Sequence, residues 1–125
     1  MNILLLAALL ASGQPHGPVL RATDVRVDTD DMLTERFADA LRKALPRAKH
    51  MRPETGDDKD DLYLAILWPV TEDGKRFDYA VDLMHKTQDM ITPDRLASLT
   101  GDCRTAQIDA CADSVIAKAD KQAKD

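Results

Sequence analysis

Two alternating apolar stretches joined by a tight-turn dipeptide constrain this chain more than any other feature. Leu62, Leu64, Ile66, Trp68 and Val70 fall on one side of the first stretch. Phe77, Tyr79, Val81 and Leu83 fall on one side of the second, with Arg76, Asp78 and Asp82 opposite. A period of two is the signature of a half-buried strand. Between them, Glu72-Asp73-Gly74-Lys75 holds the Asp-Gly pair that a two-residue hairpin turn favours. The reading is an antiparallel hairpin, Leu62–Val70 and Arg76–Lys86, with Pro69 marking the end of its first arm because proline lacks a ladder donor. Tyr63, Ala65 and Leu67 make the opposite side of that arm partly apolar too, which suits a central strand.

Such a hairpin needs a cover for its apolar side, and two helical patterns supply one. Leu33, Phe37, Leu41 and Leu45 recur every four residues, with Ala40 and Ala44 beside them. Thr29 or Asp30 is placed to cap that helix, and Pro46 to end it. Ile108, Cys111, Ala112, Val115, Ile116 and Ala119 form a second stripe, while Asp109, Asp113, Lys118 and Lys121 face water. Thr23–Asp28 alternates Val25 and Val27 with charged residues and reads as a short strand. Residues 92–100 admit a third hairpin arm or a short helix behind Thr92-Pro93-Asp94; the strand is the preferred reading, with Gly101 at the corner. The charged stretch Lys49–Asp61 reads as a solvated loop. The expected fold is α+β, in the order β-α-β-β-(β)-α. It is a small antiparallel or mixed sheet with two helices packed on one face.

Length and composition agree with one domain. The 125 residues are 44% hydrophobic and 31% charged, too apolar for a disordered chain. The net charge is −5 and the 17 basic residues are scattered, so a nucleic-acid stripe or a membrane-surface role is disfavoured. The opening differs from the rest: Ile3–Ala11 is unbroken apolar and no charge precedes Arg21. That run is too short for a bilayer, which needs about 20 residues. It reads as the core of a secretory signal ending near Gly13, with Ala11 and Gly13 as the small residues before the cut. The basic residue usual at the start of a signal is missing. The domain layout is therefore a signal peptide at 1–13, an irregular start at 14–22, one domain at 23–121 and a frayed tail at 122–125. The expected location is the periplasm or beyond, without stable membrane insertion.

Cys103 and Cys111 are the only two cysteines. An even count in an exported chain reads as a disulfide. On a single helix their Cα atoms would lie ~12 Å apart, beyond the roughly 7 Å a bridge tolerates. A bridge therefore requires Cys103 to precede the helix and fold back on Cys111; the alternative is two buried thiols. The pair lacks the Cys-x-x-Cys spacing of a redox site.

This layout resembles small periplasmic proteins in which a strand hairpin precedes a Gly-x-Cys corner and a Cys-containing last helix. The matching residues here are Phe77–Leu83, Gly101-Asp102-Cys103 and Cys111-Ala112. It is also similar in shape to the N-terminal domain of the Tol-system β-propeller protein and to envelope lipoproteins of the curli-secretion type. The resemblance implies an adaptor or accessory role in the cell envelope and carries over no functional residue.

No residue pattern supports catalysis. His16, His50 and His85 lie far apart in sequence without ligand spacing. Ser98 and Ser114 lie outside any Gly-x-Ser-x-Gly elbow. Acidic groups cluster at Asp28, Asp30, Asp31 and Glu35 and again at Asp57, Asp58, Asp60 and Asp61, yet neither follows a calcium-loop pattern. The chain is read as a non-enzyme with no cofactor and no metal. Its expected activity is contact with an unidentified envelope protein. The candidate surface is Tyr63 and Leu67, on the sheet face the helices leave open. The alternatives are an inhibitor or immunity-type protein of a hydrolase, acting through Glu54–Asp61, and a small metal-binding or hydrolytic protein.

Overall fold

The computed structural model describes residues 20–28, 30–54, 62–67, 71–73, 75–86 and 93–123. The expected signal segment, Trp68 to Val70 and the turn residue Gly74 lie outside them. Among the described residues, six strands and two helices follow in order: β1 Arg21–Val27, α1 Met32–Ala44, β2 Met51–Pro53, β3 Leu62–Ile66, β4 Thr71–Asp73, β5 Arg76–His85, β6 Asp94–Arg104 and α2 Ile108–Ala123. Single 3-10 turns, Leu45–Arg47 and Thr105–Gln107, join α1 to β2 and β6 to α2.

The strands form one mixed sheet. β1 lies between β2 and β3 and runs parallel to both. β5 runs antiparallel to β3, β4 and β6. Because β6 follows β5 from Arg76 to His85, β3 and β4 must share the other edge of β5 in succession. The expected hairpin is therefore present, with Leu64 opposite Leu83 and Asp73 opposite Arg76. Residues 94–104 resolve as strand.

Both helices cover the face carrying Val25, Leu62, Leu64, Ile66, Phe77, Tyr79, Val81 and Leu83, all buried. Phe37 of α1 is fully buried there, its ring centroid 5.5 Å from Phe77 and 5.1 Å from Tyr79. α2 adds Ala112, Val115, Ile116 and Ala119. The disulfide joins Cys103 in β6 to Cys111 in the second turn of α2, with Cα atoms 6.1 Å apart. Cys103 thus precedes the helix, as the distance argument demands.

Four expectations are corrected. First, the cap of α1 is Asp31, whose Oδ2 accepts from the Thr34 N–H at 3.0 Å and its hydroxyl at 2.9 Å. The Thr34 N–H, then its hydroxyl, holds the Asp31 carboxyl below the usual range. Second, the irregular start ends earlier than residue 22, and the charged stretch after Lys49 contains a strand. Arg21 pairs with Met51, whose side chain is buried in the core. Third, the tail is ordered as far as Ala123, which is buried and whose carbonyl accepts from Arg21 Nη1 at 3.3 Å. Fourth, Gly101 is no corner: it lies within β6 opposite Tyr79. A Cβ there would sit 2.6 Å from Tyr79 Oη and 2.9 Å from Cζ. Glycine is needed because the Tyr79 ring lies across the position.

Gly101→Ala is accordingly expected to destabilise the domain by about 1–3 kcal/mol, the usual range for overpacking. Thermal melting of the variant checks this. An unchanged midpoint would mean the ring moves aside without loss.

Candidate functional site

The opposite face of the sheet carries no helix among the described residues. The registers place Ala22, Asp24 and Arg26 of β1 beside Tyr63 and Ala65 of β3. Ala65 then faces Asp82 of β5, which faces Ser98 of β6. Leu67 continues the row beyond β3 and is 42% exposed; its N–H donates to the Ala80 carbonyl at 3.2 Å. Tyr63 and Leu67 therefore share the helix-free face, as their alternation implies.

Tyr63 is not a bare apolar side chain, however. The Arg26 guanidinium lies 4.0 Å from its ring centroid. Arg26 Nε also donates to Asp24 Oδ2 at 3.3 Å. Such a cation–ring contact contributes about 0.5–1 kcal/mol at an exposed site. Beside it, a depression of about 470 Å³ opens at the ends of β1 and β3, lined among others by Arg26, Asp28, Arg42, Tyr63 and Ala65. β2 pairs with β1 only as far as Thr23. Beyond that point the Val25 carbonyl accepts from Arg42 Nη2 at 3.1 Å, and Arg42 Nη1 donates to Asp39 at 2.8 Å.

Further across the face, Asp82 is only 5% exposed. Its Oδ2 lies 3.7 Å from Arg95 Nη1, and its Oδ1 has no hydrogen-bond partner among the described residues. Asp102 pairs closely with Arg76, and that guanidinium holds its carboxyl below the usual range. Burial, with the Asp102 charge second, pushes the Tyr79 phenol above its ordinary value.

The other candidate groups do not converge on this face. His16 and the acids 57, 58, 60 and 61 lie outside the described residues. His85 ends β5, and Asp28 and Asp30 are exposed. Among the described residues, no three His, Cys, Asp or Glu side chains are grouped to hold a metal.

One buried carboxylate that ties two elements together escapes the sequence pattern. Asp120 is 8% exposed and accepts from the backbone N–H of Lys49 at 2.9 Å and of His50 at 2.7 Å. It ties α2 to the connection between α1 and β2. The signal was its phase: Asp120 follows Ile116 by four residues and precedes buried Ala123 by three, so it sits on the buried stripe. Asp120→Ala leaves two N–H groups without their acceptor and is expected to cost about 2 kcal/mol. Urea unfolding of the variant measures it, and a loss within error of zero would show that water replaces the carboxylate fully.

No family model matches the chain, and no curated protein does. Solved structures with a similar fold exist. PelC from Paraburkholderia phytofirmans, solved as a dodecamer, is 14% identical over 86% of this chain and 92% of its own, with a TM-score of 0.52. A DUF330 protein from Xanthomonas campestris is 12% identical over 89% and 86%, at 0.48. A minor lipoprotein from Acinetobacter baumannii is 10% identical over 83% and 92%, at 0.43. The PelC likeness shows a shared fold.

Proposed function

We propose that this chain is a non-catalytic protein of the cell envelope that acts by protein–protein contact through its helix-free sheet face. The observation that carries the reading is that face itself. Leu67 is exposed on it, Tyr63 is half-buried beneath the Arg26 guanidinium, and no described helix covers either. Export is supported by the 103–111 disulfide, since such bonds persist in oxidising compartments. It is supported too by the apolar run Ile3–Ala11. No helix among the described residues is long and apolar enough to cross a membrane. The test is crosslinking in intact cells with Tyr63→Glu and Leu67→Glu combined. Loss of wild-type crosslinks, with the circular-dichroism spectrum preserved, supports the face; an unchanged set of crosslinks from a folded variant removes it.

A second reading, self-assembly, is favoured by β6. This strand runs for eleven residues, and among the described residues only β5 pairs with it. An open edge is a template for another chain, and the PelC of similar fold was solved as a dodecamer. Sedimentation velocity of the wild type and of Ser98→Lys with Thr100→Lys tests it. Assembly lost in the lysine variant supports the edge, and a wild type that stays monomeric at every concentration excludes it.

A further inference from the structure

We propose that the groove between the 45–50 connection and α2 binds an amphipathic anion, an acyl chain ending in a carboxylate or phosphate. The groove is half open to solvent and has a volume of about 430 Å³, within the size range of small-ligand sites. Its apolar lining is Ala44, Ala48, Ile116 and Ala117. Ala44 and Ile116 are buried, Ala48 is half-buried and Ala117 is exposed, so the small side chains of the last two keep the trough shallow and open.

The rim has a cationic excess in a chain whose net charge is −5. Both of its carboxylates are already engaged: Asp113 pairs with Arg47, and Asp120 accepts the Lys49 and His50 N–H groups. Lys49 and Lys121 line the same groove, and neither forms an ion pair among the described residues. His50 Nδ1 is buried without a hydrogen bond among the described residues, 3.5 Å from Asp120 Oδ2. Two unneutralised ammonium groups beside an apolar trough suit a ligand with the opposite distribution, an anionic head on an apolar chain. A small hydrophilic anion would leave the trough wet, and a neutral chain would leave the lysines unmatched.

Isothermal titration of the purified chain with laurate, dodecanol and acetate tests the proposal. Laurate is expected to bind saturably with one-to-one stoichiometry, and dodecanol and acetate at least about tenfold more weakly, since each lacks one half of the match. Lys49→Glu with Lys121→Glu, and separately Ala117→Leu, are each expected to weaken laurate at least about tenfold. All three positions are exposed, so thermal melts should stay unchanged. Phosphatidylglycerol vesicles separate the sources. Retention lost in the lysine variant assigns the groove to a phospholipid, and laurate binding without retention assigns it to a free acid. Dodecanol binding as tightly as laurate, laurate affinity unchanged in both variants, or no saturable laurate binding would each overturn the proposal.

Discussion

Phe37→Ala is expected to lower the unfolding free energy by about 3–5 kcal/mol, the range for emptying a buried aromatic site. Phe37 is 0% exposed and is the point at which α1 meets the central strand β5. Its ring packs edge-on against Phe77, at an interplanar angle of 69°, and tilted against Tyr79. Aromatic pairs of this kind add about 0.5–1.5 kcal/mol beyond buried area. The space left behind borders β-sheet residues fixed by cross-strand pairing, so it collapses poorly. A domain of this size has roughly 5–15 kcal/mol in total, so the variant loses a large share of that margin. Phe37→Leu keeps most of the volume and should cost less than half as much. Urea unfolding followed by circular dichroism gives both numbers. A loss under about 1.5 kcal/mol for the alanine variant would mean that Phe37 does not organise the core.

Phe37 was legible because its signal is local. Leu33, Phe37 and Leu41 repeat within α1, Leu45 follows at its end, and each position predicts the next. The strands Leu62–Ile66 and Arg76–His85 were legible for the same reason, their alternation ending near a turn dipeptide. The features that escaped depend on partners distant in sequence. β2 has three residues and no period of its own; it is a strand because Met51 meets Arg21 across 30 positions. The Arg26–Tyr63 contact needs the parallel register of β1 against β3, which no local pattern encodes. Gly101 read as a corner because glycine is a common turn residue. Only the cross-strand Tyr79 ring explains it. Thr29 and Asp30 were plausible caps by residue type. Asp31 takes the role because helical geometry begins at Met32, which puts its carboxylate in reach of Thr34.

Removing the disulfide is the second large effect expected. Cys103 and Cys111 close a loop with a sequence separation of eight, for which the chain-entropy model gives about 2.5 kcal/mol. In a domain near a hundred residues, that corresponds to a fall in melting temperature of roughly 10–20 °C. Alanine is the better replacement than serine, because Cys103 is 2% exposed and a hydroxyl there would need a partner. Cys103→Ala with Cys111→Ala should match the wild type melted under reductant. A variant that melts within 3 °C of the oxidised wild type, taking about 3 °C as too small for any loop-closure effect, would refute the entropic role. The bridge also touches the aromatic cluster: Cys103 lies opposite Phe77 across β5 and β6, and Phe77 packs on Phe37. Contiguous sites couple by about 0.5–3 kcal/mol. The milder Phe37→Leu should therefore lose a different amount of stability with the bridge open than with it closed. Equal losses in the two backgrounds would show that the tie between β6 and α2 stabilises the domain without bearing on how the aromatic rings pack.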